Sequence, residues 1–487
     1  MRLFLSLILM LSLAATVQAA TPARGEGLDA VLLSTASRDS LRKRLLAYST
    51  HAPNARAAAM ALYYRAMSFE RAAQPDSAIA NYRRATMTAQ VPLAITALVD
   101  ALLRRRNDGD AAEAIAALGT LPAVDQEPGS APTLVDPARL GWANVLAGHP
   151  KTGLDLLAPL EGRLGKDPTW CYRYARTYIE MNNDGKALPY LLTLNSMARG
   201  QDPEIATLLG RVDKLLGPNA RVRQRTMTEQ QDRDDLESEM LNRLRGRRVR
   251  LKAGDGSLIG GAIFADSTSK KRLPRAALVL GSLGDDLQDY DSLTVALRKS
   301  GFSVFVLDPR GSGWSVGPEF PLPDTWKGRQ DALGARVVRD VHDALNAFAH
   351  VARIDTTQVL LVGVVGMVPE ALTAAAEDAR FRALVLLDPL VSPVDRGATI
   401  AAAKRAQLPT YVQVSVPGRS ESAFADTLFR ACPPRASRYA DSIALGSGAA
   451  AFGSRPEVTP RFVRWLAETY ATKPARRVIP RATPPAR

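Results

Sequence analysis

Histidine and cysteine, the residues that most often carry acid–base, nucleophilic and metal chemistry, are scarce in this sequence. The 487 residues contain four histidines and two cysteines. A structural zinc centre needs about four ligands, drawn mainly from these two residue types. The sequence leaves little material for such a centre, and we expect neither a metal site nor another cofactor. The last of the histidines is His350, so none is available in the final part of the chain.

Four aspartates cluster within a few residues of one another, at Asp285, Asp286, Asp289 and Asp291. Carboxylates grouped in this way could bind a cation. Aspartate is also a preferred residue immediately before a helix, and a helix is predicted to begin near position 290. We favour this second interpretation, in which Asp289 or Asp291 caps the helix.

The elements that must position any site in the second half of the chain are short strands and helices in alternation. A hairpin is predicted around Asp255-Gly256, because apolar and polar residues alternate on both sides of it. Apolar runs typical of strands follow at 276–283, 303–308, 358–364, 383–389 and 410–416. Helices fit at about 290–300, 331–350, 367–379, 396–406, 420–431 and 457–471. This alternation predicts a doubly wound, mostly parallel α/β sheet with helices on both faces.

Three segments of this half resemble the α/β-hydrolase family. The segment FSVFVLDPRGSGWS is similar to the signature D-x-R-G-x-G-x-S of that family. The segment LVLGSLGDD resembles its oxyanion loop, and VLLVGVVGM takes the place of the strand, turn and helix that carry the nucleophile. The resemblance covers about residues 247–471 and implies an α/β-hydrolase-like domain there.

The resemblance also implies which residues belong to the former site. In the signature turn, it gives Asp308, Arg310, Gly311 and Gly313 a structural role in holding the loop. In the oxyanion loop and the elbow, the backbone N–H groups near Ser282 and Gly366 could still form a nest for an anion.

The catalytic residues of that family are missing. Its nucleophile lies in the pattern G-x-S-x-G, followed along the chain by an acid and then a histidine. Val365 stands at the serine position, and an isopropyl group has no proton to lose and no lone pair to attack with. Arg419 stands in the acid loop, and Ala449 and Ala450 stand where the histidine is expected. We therefore predict a noncatalytic domain in which Asp388, a remaining acid, has nothing to orient.

Two further possibilities concern the cleft of this domain. Val365, Leu280, Ala449 and Ala450 would make it apolar, so it would be filled by side chains or would hold a small apolar ligand. The alternative to the noncatalytic prediction is an active serine hydrolase, an esterase or a peptidase, that uses a displaced nucleophile. Ser282 and Ser392 are the candidates for that role.

A helical domain is predicted at 20–218, in which residues from about 38 to 216 are helical throughout, because apolar residues recur there at spacings of three and four. Small residues at Ala78, Ala112, Gly153 and Ala187 begin matching second helices, at steps of 34, 41 and 34 residues. The pattern resembles the tetratricopeptide repeat family, which implies an all-α repeat solenoid whose concave groove binds a protein partner. A generic helical bundle is the alternative. His51 and His149 are expected near helix ends.

The N-terminus predicts export. Arg2 precedes an uncharged apolar run from Leu3 to Ala15, and Val17 and Ala19 are small residues at positions suited to cleavage after Ala19. We therefore predict a signal peptide at 1–19 and a periplasmic or secreted protein. Export permits disulfides, but we expect Cys171 and Cys432, which lie in different halves, to be two unpaired thiols.

The formal net charge of +14 lies largely outside the two predicted domains. A charged linker helix is predicted at 219–246, and residues 219–250 contain nine basic and six acidic residues. Residues 471–487 contain five basic and no acidic residues. The domains themselves are near balance, so the charge does not predict nucleic-acid binding. The Pro-rich tail at 472–487 is expected to be disordered and to allow at most weak contact with an anionic membrane surface.

Overall fold

The computed structural model describes residues 27–35, 37–121, 135–164, 167–198, 202–216, 220–265, 273–283, 285–316, 330–415, 419–433, 436–440 and 448–471. The predicted signal peptide and the predicted tail lie outside these residues. Within the described ranges, no helix combines the length and the apolar character needed to cross a membrane.

The first half of the described chain is helical, as the apolar spacing predicts. Its helices are α1 (Leu28–Ser34), α2 (Arg38–His51), α3 (Ala55–Arg71), α4 (Pro75–Thr88), α5 (Pro92–Arg105), α6 (Asp110–Leu118), α7 (Val135–Leu146), α8 (Pro150–Leu157), α9 (Glu161–Leu164), α10 (Pro168–Glu180), α11 (Asp184–Met197) and α12 (Pro203–Leu216). Proline at the first helical position begins several of them, because its missing N–H has no partner there in any case.

Neighbouring helices of this half pack in pairs, α3 with α4, α5 with α6, α7 with α8 and α10 with α11. In the third pair, a Cβ added to Gly153 would lie 2.6 Å from the carbonyl oxygen of Gly141, so glycine permits this close approach. Ala78 and Ala187, which hold the same position in the first and fourth pairs, are also buried. In the second pair Ala112 is exposed, and Ala114 is the buried residue. The second pair therefore departs from the spacing of the other three.

The connecting helix α13 (Ala220–Arg243) is more than a solvated linker. Met240 and the following Leu244 are buried against the sheet, and Glu237 is ion-paired with Arg248 of the first strand. The four-residue spacing of the two apolar side chains places them on one face of the helix. The end of the predicted linker thus packs as part of the α/β half.

The second half contains one eight-stranded sheet. Its strands are β1 (Arg247–Lys252), β2 (Leu258–Phe264), β3 (Arg275–Leu280), β4 (Phe302–Leu307), β5 (Asp355–Val364), β6 (Phe381–Leu387), β7 (Thr410–Val414) and β8 (Ser437–Ala440). The strand order is β1-β2-β4-β3-β5-β6-β7-β8. β2 pairs antiparallel with β1 and β4, whereas all other neighbours are parallel. The sheet is mixed and mostly parallel, which is consistent with an α/β-hydrolase-like fold.

Helices cover both faces of the sheet, as predicted. They are α14 (Asp291–Lys299), α15 (Gln330–Val351), α16 (Val368–Glu377), α17 (Arg396–Ala406), α18 (Arg419–Ala431), α19 (Ala451–Ser454) and α20 (Val458–Ala471). Along β3, Leu278 and Leu280 pack against the helices α15 to α18, and Ala277 and Val279 pack against α14 and α20. A strand with both faces buried is apolar at every position, which explains the continuous apolar runs.

Neither Cys171 nor Cys432 forms a disulfide among the described residues, as expected from their positions in different halves of the chain. Cys171 packs beside Leu194 and Ala198 in the helical half. Burial raises the pKa of each thiol to about 11.

Candidate functional site

Val365 occupies the apex of a sharp turn between β5 and α16. Its φ is +49°, a left-handed conformation that is unusual for a β-branched residue. Gly363 allows the helix to return close to the strand, because a Cβ there would lie 2.6 Å from the Cβ of Ala371. The structure therefore retains the strained backbone that presents a nucleophile, with an isopropyl group in its place.

Asp388 lies at the end of β6, the strand next to that turn, and also has a positive φ, +48°. One carboxylate oxygen accepts a hydrogen bond from the backbone N–H of Ser415, and the other accepts one from the backbone N–H of Gly448. The carboxylate is thus used to join the ends of β6 and β7 to the segment that follows β8.

Three segments named in the sequence analysis lie close together in this fold. A Cβ on Gly448 would lie 3.3 Å from Cγ2 of Val365, so the segment after β8 reaches the turn after β5. Gly448 and Ala449 are buried there, and Ala450 is exposed. The residues brought together are a valine, an aspartate that is bonded to backbone N–H groups, and small apolar residues.

The oxyanion loop is occupied by a side chain of the protein itself. The backbone N–H of Ser282 donates to the hydroxyl of Tyr290 at 2.7 Å, and that hydroxyl donates to Asp285 at 2.6 Å. Tyr290 is only 2% exposed, and burial raises the pKa values of both Tyr290 and Asp285. The Ser282 N–H therefore already has a partner in this structure, whereas Gly366, the other residue of the predicted anion nest, is exposed.

Sequence patterns did not reveal the role of Tyr290. An aromatic residue at the start of an amphipathic helix is typical of core packing, and nothing in its spacing indicates that its hydroxyl returns to the loop. The one pattern that could have indicated it is the group of acidic residues beside Tyr290. A carboxylate that is removed from solvent needs a hydrogen-bond donor, and a tyrosine hydroxyl can supply one.

The remaining carboxylates of the acidic cluster lie before and at the start of α14. Asp286 and Asp289 form a reciprocal capping box around the 3-10 turn at Leu287–Tyr290, where the N–H of Asp286 donates to Asp289 at 2.8 Å. Asp289 thus caps the turn that precedes α14, and not α14 itself, whose N-cap residue is Tyr290. Asp291 is instead ion-paired with Arg243 at 2.5 Å.

Arg310 of the signature turn is a buried cation with two carboxylate partners. It is 2% exposed, and it contacts Asp340 at 2.5 Å and Asp255 at 2.7 Å. The guanidinium holds the pKa of Asp255 well below its usual range. These contacts join the turn after β4 to the β1–β2 hairpin and to α15, so Arg310 is used to hold the structure.

The rest of this turn is closed by local hydrogen bonds. Asp308 accepts one from the backbone N–H of Trp314 at 2.9 Å. Gly311 and Gly313 have φ values of +76° and +50°, and a Cβ on Gly313 would lie 2.5 Å from the Asp308 carboxylate. The Ser315 hydroxyl donates to the carbonyl of Asp308 at 2.7 Å and accepts from the N–H of Gly260 at 2.8 Å.

The four residues predicted to line an apolar cleft do not share one environment. Leu280 is fully buried in the core on one face of the sheet, and Ala449 is 2% exposed in the core on the other face. Val365 is partly buried, and Ala450 faces solvent. The side chain of Arg419 and residues 416–418 of the acid loop lie outside the described side chains.

The histidines do not complete the site. His342 lies 3.2 Å from Asp378, which follows the last turn of α16 and so lies at the opposite end of the sheet from Val365. His350 is exposed, His51 ends α2, and His149 precedes α8. The hydroxyl oxygen of Ser392 is buried and has no hydrogen-bond partner in the described structure, so Ser392 is not paired with a histidine there.

No protein-family model matches this chain, and no curated protein matches it. Among solved structures, it is similar to an esterase of Pyrococcus furiosus, with 11% identity and a TM-score of 0.38 over 47% of this chain and 95% of that one. It is also similar to an α/β hydrolase of a Penicillium species, with 14% identity and a TM-score of 0.37 over 47% of this chain and 99% of that one. An esterase domain of Rhodothermus marinus has 14% identity and a TM-score of 0.32, over 45% and 99%. Likeness at this level carries no information on activity, so the chemistry depends on the residues described above.

Proposed function

We propose that this chain is an interaction protein in which an α/β-hydrolase-like domain has lost catalysis. One observation carries the proposal: the three elements of a triad converge, but they bring together Val365, the backbone-bound Asp388 and Gly448. A serine hydrolase needs a nucleophile, a base and free oxyanion donors. Here the first two are replaced, and the donor at Ser282 is bonded to Tyr290.

In this proposal the helical half is the surface that binds a protein partner. The packed pairs α3–α4, α7–α8 and α10–α11 agree with a tetratricopeptide-like spacing, and the exposed Ala112 of the second pair does not. Helix pairs stacked at a regular interval produce an extended concave surface suited to a peptide segment. Export through the signal peptide is part of the same proposal, and sequencing of the mature N-terminus tests it: cleavage after Ala19 is expected.

The loss of catalysis is tested with a fluorophosphonate probe and short-chain nitrophenyl esters. We expect neither labelling nor turnover above the uncatalysed rate for the wild-type chain. We expect the same for Val365→Ser, because no histidine reaches the new hydroxyl. An active serine hydrolase labelled in parallel shows that the probe is competent.

The alternative function, a hydrolase with a displaced nucleophile, has the opposite outcome. Labelling of the wild-type chain that disappears in Ser282→Ala or in Ser392→Ala would contradict the noncatalytic proposal. It would also identify the nucleophile.

The partner surface is tested by cross-linking of the full chain to a recovered protein, followed by mass spectrometry. Lys151 and Lys186 are exposed on the helical half, and Lys299 and Lys404 are exposed on the α/β half. We expect cross-links at the first pair. Cross-links found only at the second pair would contradict binding through the helices.

A further inference from the structure

The two halves of the chain meet in a tight, charged contact. Asp395, which precedes α17, is 4% exposed, accepts a hydrogen bond from Arg38 of α2 and is ion-paired with Arg71 of α3 at 2.9 Å. Gly397 lies directly against α1, since a Cβ there would be 2.2 Å from the carbonyl oxygen of Thr35. This contact fixes the first helices against α16 and α17.

A cavity of about 330 Å³ lies beside this contact. Both halves line it: Arg38 and Arg71 come from the helical half, and Glu370 of α16 and Arg405 of α17 come from the α/β half. Small apolar residues, among them Ala335 and Ala398, complete the wall. The volume falls within the range of small-molecule pockets, which begin at roughly 300 Å³.

The residues that line the cavity include three arginines and only two carboxylic acids, Asp395 and Glu370. Asp395 is one carboxylate shared by two guanidinium groups. Arg405 is exposed and has neither an ion pair nor a hydrogen bond to any residue that the structure describes. An arginine in this state presents its full set of donors to a bound anion, for which its planar group is well suited.

Glu370 supplies the second observation. Its Oε2 atom is shut off from solvent and has no hydrogen-bond partner in the described structure. Burial raises the pKa of this carboxyl to about 7, against the opposing effect of Arg71 and Arg38 and with a small further rise caused by Asp395. A protonated carboxyl can donate a hydrogen bond to an anion, whereas a buried polar atom without a partner is costly.

We propose that this cavity is a binding site for a small oxyanion, a carboxylate or a phosphate group, held by Arg405 and Glu370 between the two halves of the chain. A cationic ligand is disfavoured, because it would lie among three arginines. Since Arg38 and Arg71 approach from the helical half, the bound anion also connects the halves. This site is separate from the degenerate triad and does not depend on the partner proposed above.

The test is isothermal titration calorimetry of the full chain with succinate and with inorganic phosphate, at pH 6 and pH 8 and at constant ionic strength. Arg405→Ala is compared with Lys404→Ala, because the two residues are adjacent, basic and exposed, and only Arg405 lines the cavity. We expect binding to be stronger at pH 6, to weaken by about tenfold in Arg405→Ala, and to change less than twofold in Lys404→Ala. Stronger binding of succinate indicates a carboxylate ligand, and stronger binding of phosphate indicates a phosphate ester.

Glu370→Gln provides an independent measurement. Because glutamine is neutral at every pH, we expect Glu370→Gln to lose the part of the pH dependence that Glu370 contributes, so that only the dependence set by the titration of the ligand itself remains. The proposal is overturned if neither anion binds at 10 mM at pH 6, if Lys404→Ala weakens binding as much as Arg405→Ala, or if Glu370→Gln keeps the wild-type dependence on pH.

Discussion

The hydroxyl oxygen of Tyr290 accepts a hydrogen bond from the backbone N–H of Ser282 at 2.7 Å, inside the loop that would bind a substrate oxyanion in a hydrolase. A working oxyanion hole presents free donors to the charge that develops during the reaction. In this structure the Ser282 donor is paired with a buried side chain. Tyr290 therefore ties this loop to the packing of the domain.

The first prediction concerns that hydrogen bond. Tyr290→Phe leaves the Ser282 N–H and the half-buried Asp285 carboxyl without their partner, so we expect the free energy of unfolding to fall by about 1–3 kcal/mol. Tyr470→Phe is the matched control, since the buried Tyr470 hydroxyl has no hydrogen-bond partner among the residues that the structure describes. Urea denaturation measures both variants, and equal losses would contradict a special role for Tyr290.

The second prediction concerns backbone strain at the elbow. Val365 has φ +49°, whereas its buried neighbour Val364 has φ −114°. Val364→Gly removes a core side chain and should lower the free energy of unfolding by roughly 2–4 kcal/mol. In Val365→Gly, relief of roughly 1–3 kcal/mol of strain offsets the lost contacts, so we expect a change within about 1 kcal/mol. Equal losses in the two variants, measured by urea denaturation, would show that the turn is unstrained.

The third prediction concerns the buried arginine. Lysine at position 310 keeps the charge but cannot pair with Asp340 and Asp255 through the same planar group. We expect Arg310→Lys to lower the free energy of unfolding by roughly 2–4 kcal/mol, because Asp340 stays buried with a poorer partner. Arg339→Lys on the exposed face of α15 is the control and should be nearly neutral.

The same variant should respond differently to acid. The Arg310 guanidinium lowers the pKa of Asp255, so this ion pair contributes stability above the pKa that Asp255 has in the unfolded chain and loses it as the pH falls. The difference in stability between the wild type and Arg310→Lys should therefore narrow as the pH falls from 5 toward 2. A difference that is constant with pH would contradict the assignment.

The fourth prediction concerns Glu370, whose pKa is raised from 4.5 to about 7. A raised pKa in the folded state means that wild-type stability falls as the pH rises from about 4.5 to 7 and is constant above that. Glu370→Gln should be the more stable protein above pH 7, by up to about 3 kcal/mol, and the gain should disappear below pH 4.5. Thermal unfolding at pH values from below 4.5 to above 7 measures the difference in stability between Glu370→Gln and the wild type. Glu239→Gln on the exposed surface of α13 is the control. A gain that is independent of pH would contradict the raised pKa.

The fifth prediction concerns the contact between the two halves. In Gly397→Ala, the new methyl group would meet the backbone oxygen of Thr35 at 2.2 Å, so α1 must move. We expect the midpoint of thermal unfolding to fall and limited proteolysis near residue 36 to become faster. Gly210→Ala in α12 meets open space and should be neutral or slightly stabilising. Unchanged proteolysis in Gly397→Ala would contradict the contact.

Much of the architecture follows from local patterns. The apolar runs predicted the first and last residues of five parallel strands to within a few positions. A strand that is buried on both faces is mostly apolar, so the run of apolar residues shows where it begins and ends. The absence of histidine after His350 and the valine at position 365 indicated the loss of catalysis from residue types alone. β8 was missed, since its four residues, Ser437–Ala440, are short and mixed in polarity.

The tertiary structure decided which polar groups are hydrogen-bonded or ion-paired with one another. Ser282 and Tyr290 are separated by a turn, Asp388 reaches Gly448 across two strands, and Arg71 reaches Asp395 from the other half of the chain. No periodicity encodes these pairs, because hydrogen bonds depend on distances that exist only after the elements have packed. By itself, the sequence determined that valine stands at position 365 and that no histidine follows His350. Only the fold decided that Tyr290 bonds to Ser282, that Asp388 bonds to Gly448, and that a cavity lined by three arginines lies between the halves.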